Sequence, residues 1–144
     1  MVDKDRDWSM FVAQTEDGDK VIYRIRLEQP AGVVSSDYEN CVIIEWTFQD
    51  ALPDKVLSEV HKIFEGHMDP LGHDNPNSLL MHVYTKPGMK EWCYYARDYP
   101  LFMTELNDAL AGKPRFPIDI LHDTDPDWSY WSQIRDMVKS LPGV

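Results

Sequence analysis

Trp128 and Trp131 stand three residues apart behind Asp123-Thr124-Asp125-Pro126-Asp127, and this arrangement limits what the chain can fold into. Residues three apart share a helix face, so two indoles there form one apolar wedge that must leave water. The residues in front supply a helix start. Asp125 is placed to cap, Pro126 suits the first helical position, and Asp127 favours the positive end of the helix dipole. Ile134, Val138 and Leu141 continue the apolar side of this terminal helix. The rest of the chain is expected to provide a body on which the wedge can dock.

That body reads as strands and helices in a definite order. Trp8 to Gln14 alternates as a strand, and Asp17-Gly18 signals a tight hairpin whose two central residues both need positive φ. Lys20 to Leu27 returns with Val21, Tyr23, Ile25 and Leu27 on one face. Cys41 to Phe48 is a third strand, with Val42, Ile44, Trp46 and Phe48 facing one way. A helix opens at Pro53-Asp54, buries Val56, Leu57, Val60, Ile63 and Phe64, and stops near Gly66. A polar loop from His67 to Asn77 leads to strands at 79–85 and 91–97. A helix capped by Asp98 follows, with Phe102, Leu106, Ala109 and Leu110 on its apolar face, then a strand from Phe116 to His122. The middle six elements match the split βαβ order of ferredoxin-like folds. The expectation is one α+β domain over residues 1–144, a ferredoxin-like sandwich with an N-terminal β-hairpin and an extra C-terminal helix.

Charge narrows the partners. The chain has 25 acidic and 14 basic residues, a formal net charge of -11, which repels phosphate backbones and anionic membrane surfaces. A protein partner with a basic patch is electrostatically easier. No apolar run approaches the roughly 18 residues of a membrane span, and Met1 to Asp7 is charged with no signal-type stretch behind it. A cytoplasmic location is expected. Cys41 and Cys93 cannot form a disulfide framework and read as small buried hydrophobes kept reduced.

Residue type and spacing mark three candidate sites. Alternation places Glu45, His82, Tyr84, Tyr95 and Arg97, with Leu80 and Cys93 beside them, on the sheet face away from the first two helices. Aromatic and arginine anchors there suit a ligand or a partner, unless the final helix lays its tryptophans over the face. The stretch His61, His67, Asp69, His73 and Asp74 holds metal-ligand types. Its spacing matches no compact zinc pattern, and these read as surface and loop residues, so no metal or other cofactor is expected. His122, Asp123 and Asp125 offer acid–base types, but a turn and a helix cap need the same residues. No Gly-x-Ser-x-Gly elbow, Gly-x-Gly-x-x-Gly turn or Walker loop is present, and no catalytic residue is assigned.

Three segments carry a resemblance. They are Trp8 with Phe11, Glu91-Trp92-Cys93-Tyr94-Tyr95-Ala96-Arg97-Asp98, and Asp125-Pro126-Asp127-Trp128 with an aromatic at 131. Together they resemble the bacterial "domain of unknown function 695" family over most of the chain. That family commonly has tyrosine where this sequence has Trp131, which keeps the ring and removes a hydroxyl. Some relatives resemble the acidic regulator-B protein that inhibits ribonuclease E. The resemblance implies an acidic ferredoxin-like binding module and no established reaction.

Two functional expectations follow. The preferred one is a non-catalytic acidic protein-binding or regulatory module, with self-association as a homodimer also open. The alternative is a small-molecule-binding protein or hydrolase with a pocket between the sheet and the C-terminal helix. His82, Tyr84, Tyr95, Arg97 and His122 would line that pocket. A deep cavity with converging polar groups would favour the alternative.

Overall fold

The computed structural model describes residues 8–141, so the Met1–Asp7 start lies outside the described residues. Strands β1 (Trp8–Gln14) and β2 (Lys20–Arg26) form the hairpin. They are followed by β3 (Asn40–Thr47), α1 (Lys55–Gly72), β4 (Ser78–Lys86), β5 (Met89–Ala96), α2 (Tyr99–Leu110), β6 (Ile118–Thr124) and α3 (Ser129–Lys139). The fold is α+β, with a six-stranded sheet in the order β1-β2-β4-β5-β3-β6. Every neighbouring pair is antiparallel. Strands β3 and β4, joined through α1, therefore run parallel with β5 between them. The hairpin extends the sheet at the β4 edge through β2.

Both faces of the sheet are covered. Val42, Ile44, Trp46, Val83, Trp92 and Tyr94 meet Phe64, Met68 and Leu71 of α1 and Phe102 and Leu106 of α2. On the other face Ile25, Cys41, Met81, Cys93 and Tyr95 lie under Trp128, Trp131 and Val138. The face that could have served a ligand or partner is thus covered by the terminal wedge, the alternative that the sequence left open. Leu80, expected on that face, packs on the α1 side instead. A bulge between Leu80 and His82 breaks the two-residue alternation there, so Leu80 pairs with Tyr94 while His82 pairs with Cys93.

Several local expectations are corrected. In the first hairpin only Gly18 is left-handed, at φ +85°. Its N–H donates to the Thr15 carbonyl at 2.9 Å and the Thr15 N–H to the Asp19 carbonyl at 2.8 Å, which makes a wider three-residue loop. Helix α1 runs through Gly66 to Gly72, so the first part of the expected polar loop is helical. An exposed glycine costs a helix only about 1 kcal/mol, and the burial of Phe64, Met68 and Leu71 outweighs it. The buried stripe of α1 passes through Leu57, His61, Phe64, Met68 and Leu71, which leaves Val56 and Ile63 at 74% and 55% exposed. At the end of α1, a Cβ on Gly72 would stand 3.0 Å from that of Leu80, so glycine permits the close approach of helix and strand.

Helix α3 begins at Ser129, not at Pro126. Asp125 still caps it, from further away. Its carboxylate accepts the N–H groups of Ser129 at 2.9 Å and Tyr130 at 3.0 Å, and the Tyr95 hydroxyl at 2.7 Å. Pro126 and Asp127 occupy a turn closed by the Trp128 N–H on the Asp125 carbonyl at 3.1 Å. Trp128 then takes a left-handed backbone, φ +55°, which is unfavourable for a residue with a Cβ. The turn sends its indole under the helix. There it stacks on Tyr95 with centroids 4.5 Å apart, and its Nε1–H donates to the Tyr38 carbonyl at 2.9 Å. Trp131 meets Trp128 edge-on at 6.0 Å and donates to the Arg26 carbonyl at 2.9 Å.

His61, expected at the surface, is 1% exposed in the core. Its ring meets Trp46 edge-on at 4.6 Å, and neither ring nitrogen has a hydrogen-bond partner among the described residues. Burial, aided by the Lys90 charge and opposed by Glu65, lowers its pKa to about 4. The folded site thus refuses a proton that the unfolded chain accepts near pH 6.5.

Two predictions follow from this packing. Trp128→Ala loses a stacked, hydrogen-bonded indole and lowers unfolding free energy by about 3–5 kcal/mol, whereas Ile63→Ala changes it by no more than about 0.5 kcal/mol. Urea unfolding of both variants checks the contrast. The His61 shift makes stability complete above about pH 6.5, falling as pH drops towards about 4, and insensitive to this group below that. In His61→Leu that part of the slope disappears from a pH series of urea midpoints.

Candidate functional site

The residues expected to form one patch are divided by the fold. His82 and Tyr95 are 1% and 0% exposed, beneath α3 with the half-buried Tyr84 beside them. Glu45 lies opposite Glu91 on β5 and Asp119 on β6, at the same side of the sheet. Arg97 lies past the end of β5, where its guanidinium covers the Tyr38 ring at 4.4 Å and its Nε–H donates to the Pro76 carbonyl at 3.1 Å. His122 pairs with Val42, which puts it on the other face, stacked on Tyr99 at 3.8 Å with Nε2 2.8 Å from Asn40 Oδ1.

Under α3 the sheet and helix share a polar network. His82 Nε2 lies 2.9 Å from Glu91 Oε2, and the Tyr130 hydroxyl donates to the same oxygen at 2.6 Å. With Nε2 protonated, His82 Nδ1 is a bare acceptor, and it has no partner among the described residues. Burial and the Glu91 charge push the Tyr84 hydroxyl up to about 12. Burial and the hydrogen bond to Glu91 also raise Tyr130. Neutral phenols therefore surround this carboxylate, and the network ties Tyr130 of α3 to the sheet. A recess of 300 Å³ does open at the flank of α3, lined by Cys41, Ile43, Asp123, Asp125, Tyr130 and Gln133 among others. His82, Tyr84, Tyr95, Arg97 and His122 are not in its wall.

A different cavity gathers polar groups on the opposite face. It measures 240 Å³ and lies between α1, the hairpin and the central strands. Trp8, Arg24, Glu65, Asp69 and His73 form its rim, over Met68, Leu80, Trp92 and Tyr94. At Gly72 and His73 it borders a wider groove of 710 Å³ lined by the loops after β2 and α1.

The sequence places these groups by simple rules. Arg24 and Arg26 fall on the helix side of β2 because Tyr23 and Ile25 take the α3 side. Glu65 and Asp69 are four apart on α1 and share a face. Glu65 Oε1 accepts Arg24 Nη2 at 2.7 Å and Trp92 Nε1 at 3.0 Å, and lies 3.5 Å from Lys90 Nζ. Burial works against its charge, but Arg24, Lys90 and these donors outweigh burial and hold its pKa below the usual carboxylate value. Burial lowers the pKa of Lys90 despite Glu65. Tyr94 is 1% exposed, and burial followed by Glu65 raises its hydroxyl strongly. The charges felt by that hydroxyl, Glu65, Arg24 and Asp69, are those of the cavity rim. Trp8 closes one side, with the Arg26 guanidinium 4.9 Å from its ring centroid. The arrangement offers a neutral phenol donor, a fixed carboxylate and aromatic walls, which suits recognition of a small polar molecule.

Sequence reasoning missed this cavity. The available signal was a charge pattern: Arg24 and Arg26 occupy inward positions of a strand that continues a covered sheet. Of the histidine-bearing stretch, Asp69 and His73 reach the cavity rim, whereas His61 is in the core.

The model of the Family of unknown function (DUF695) matches residues 6–134, and the chain belongs to this family. No curated protein and no solved structure matches the chain.

Proposed function

We propose that this DUF695 member is a non-catalytic binding module that takes a small polar ligand into the cavity between α1 and the sheet. One observation carries the reading. The ring of Tyr94 is nearly fully buried, and the residue lines a cavity that also holds Glu65 and Arg24, with its phenol held neutral by that burial. A neutral phenol in a cavity wall donates to a bound acceptor, a bond that contributes about 0.5–1.5 kcal/mol. The ligand pocket of this reading is on the α1 face, opposite the one expected from sequence. His82, Tyr84, Tyr95, Arg97 and His122 then serve the fold, and not a ligand.

A second reading, an acidic cytoplasmic protein-binding or regulatory module, is favoured by strand β1. Trp8-Ser9-Met10-Phe11-Val12-Ala13-Gln14 carries no charge, and among the described residues it pairs only with β2. Sheet edges are usually guarded by charge, as β6 is by Asp119 and Asp123. An extended segment of a basic partner, or a second copy, would add a strand here, steered by the net charge of -11.

Native mass spectrometry of the protein purified from its source cell tests the first reading. The expected result is a small-molecule adduct on the native chain. It weakens about fivefold to tenfold in Tyr94→Phe, the worth of one hydrogen bond, while circular dichroism is unchanged. A chain free of adduct, whose Tm also responds to no member of a metabolite panel, overturns it.

A further inference from the structure

Cys41 and Cys93 occupy neighbouring strands on the α3 side of the sheet. Cys41 pairs with Tyr95 and Cys93 with Ile43, so the two are diagonal neighbours across the β3–β5 ladder. Their Sγ atoms are 3.9 Å apart, and the residues are 3% and 0% exposed. A disulfide bond is about 2.0 Å long, so closure requires the sulfurs to approach by about 1.9 Å. Diagonal cross-strand neighbours stand about 7–8 Å apart, at the limit of what a disulfide spans, so closure combines side-chain rotation with a local drawing-in of β3 and β5. Cys41 also lines the recess at the flank of α3, together with Asp123, Asp125 and Tyr130, whereas Cys93 does not. The two sulfurs thus differ in access, as an entering and a resolving thiol do.

We infer that Cys41 and Cys93 form a redox-modifiable pair that closes to a disulfide by exchange with a small-molecule disulfide such as oxidised glutathione. The Cys41 sulfur, deprotonated, attacks one sulfur of the oxidant and releases one thiol. The Cys93 sulfur then attacks Cys41 in the mixed disulfide and releases the second. Two cysteine thiols are oxidised by two electrons, one disulfide is reduced to two thiols, and both protons end on the released thiols. The surroundings make this slow. Burial raises the Cys93 thiol, and Cys41, Glu91 and Asp125 raise it further. Tyr95 and Tyr130, facing the pair from the sheet and from α3, are held neutral by burial. His82 stands opposite Cys93 with its Nε2 engaged by Glu91, and Asp123 stands opposite Cys41. Exchange therefore waits on movement of α3, whose first turn covers the recess and is held by Asp125.

The test equilibrates the full chain in glutathione buffers graded from reduced to oxidised, in two arms. One starts from the native protein. The other refolds the protein from urea in the same buffers, so that access sets no limit. After acid quenching, intact mass and an unreduced peptide map are read. The expected result in the refolded arm is loss of two hydrogen atoms as one step, a cross-linked peptide pair holding Cys41 and Cys93, and native near-UV circular dichroism. The native arm reaches the same state more slowly, and Asp125→Ala shortens the delay. A cross-link seen only in the refolded arm still supports the pair and locates the barrier in access. Thiols that stay free in the refolded arm, separate glutathione adducts on each cysteine, or a cross-linked chain without native dichroism overturn the inference.

Discussion

The structure depends on the fact that β5 buries large side chains on both faces. Trp92 and Tyr94 point one way and Cys93 and Tyr95 the other, and each is at most 1% exposed. A strand of that kind cannot lie at the surface on either side. Helices α1 and α2 cover one face, and among the described helices α3 covers the other, with Tyr38 and Val33 of the β2–β3 connection beside it. Burial of Trp128 and Trp131 is therefore what makes the second face viable. The left-handed backbone at Trp128 is the conformational cost of delivering the indole there. At roughly 1–2 kcal/mol, it is smaller than the stability that a fully buried indole contributes.

Asp125 links these layers more tightly than an ordinary cap. A capping carboxylate satisfies backbone donors of its own helix. Here the same group also accepts the Tyr95 hydroxyl from the central strand, and Tyr130 reaches from the first turn to Glu91. Cap, sheet and helix start thus constrain one another. Loosening the cap weakens a sheet contact as well, which couples the position of α3 to the buried cysteines and to the network at His82.

Much of the fold was legible because its signals are periodic. Alternation in β2 and β3, the Asp98 cap and the apolar side of the terminal helix through Trp131, Ile134 and Val138 are local and survive folding. What failed was punctuation and cover. Gly66 reads as a stop by propensity, but tertiary burial of Met68 and Leu71 overrides a cost of about 1 kcal/mol. The bulge at Leu80–His82 leaves no mark in an apolar run, and it reverses the faces that follow from strict alternation. The site fared worse for the same reason. Residues such as His82 and Tyr95 have interface chemistry, but whether they serve a partner or a core depends on what covers them. That is a property of α3 docking and not of their own segment.

Charge shows the same separation between whole and part. A net charge of -11 describes the outer surface, and it argues against anionic partners for the molecule at large. Around the α1 cavity the balance differs. Arg24 and Lys90 converge on Glu65, and Arg26 lies against Trp8 beside them. Cations gathered around one carboxylate keep it ionised, so the wall presents both signs at short range while its long-range field is small. A ligand entering there is selected by hydrogen-bond geometry and fit, with little steering. In the proposed protein-binding role, it is the remaining negative charge that steers a basic partner at longer range. The two proposed binding roles therefore draw on different parts of the same charge distribution, and one does not exclude the other.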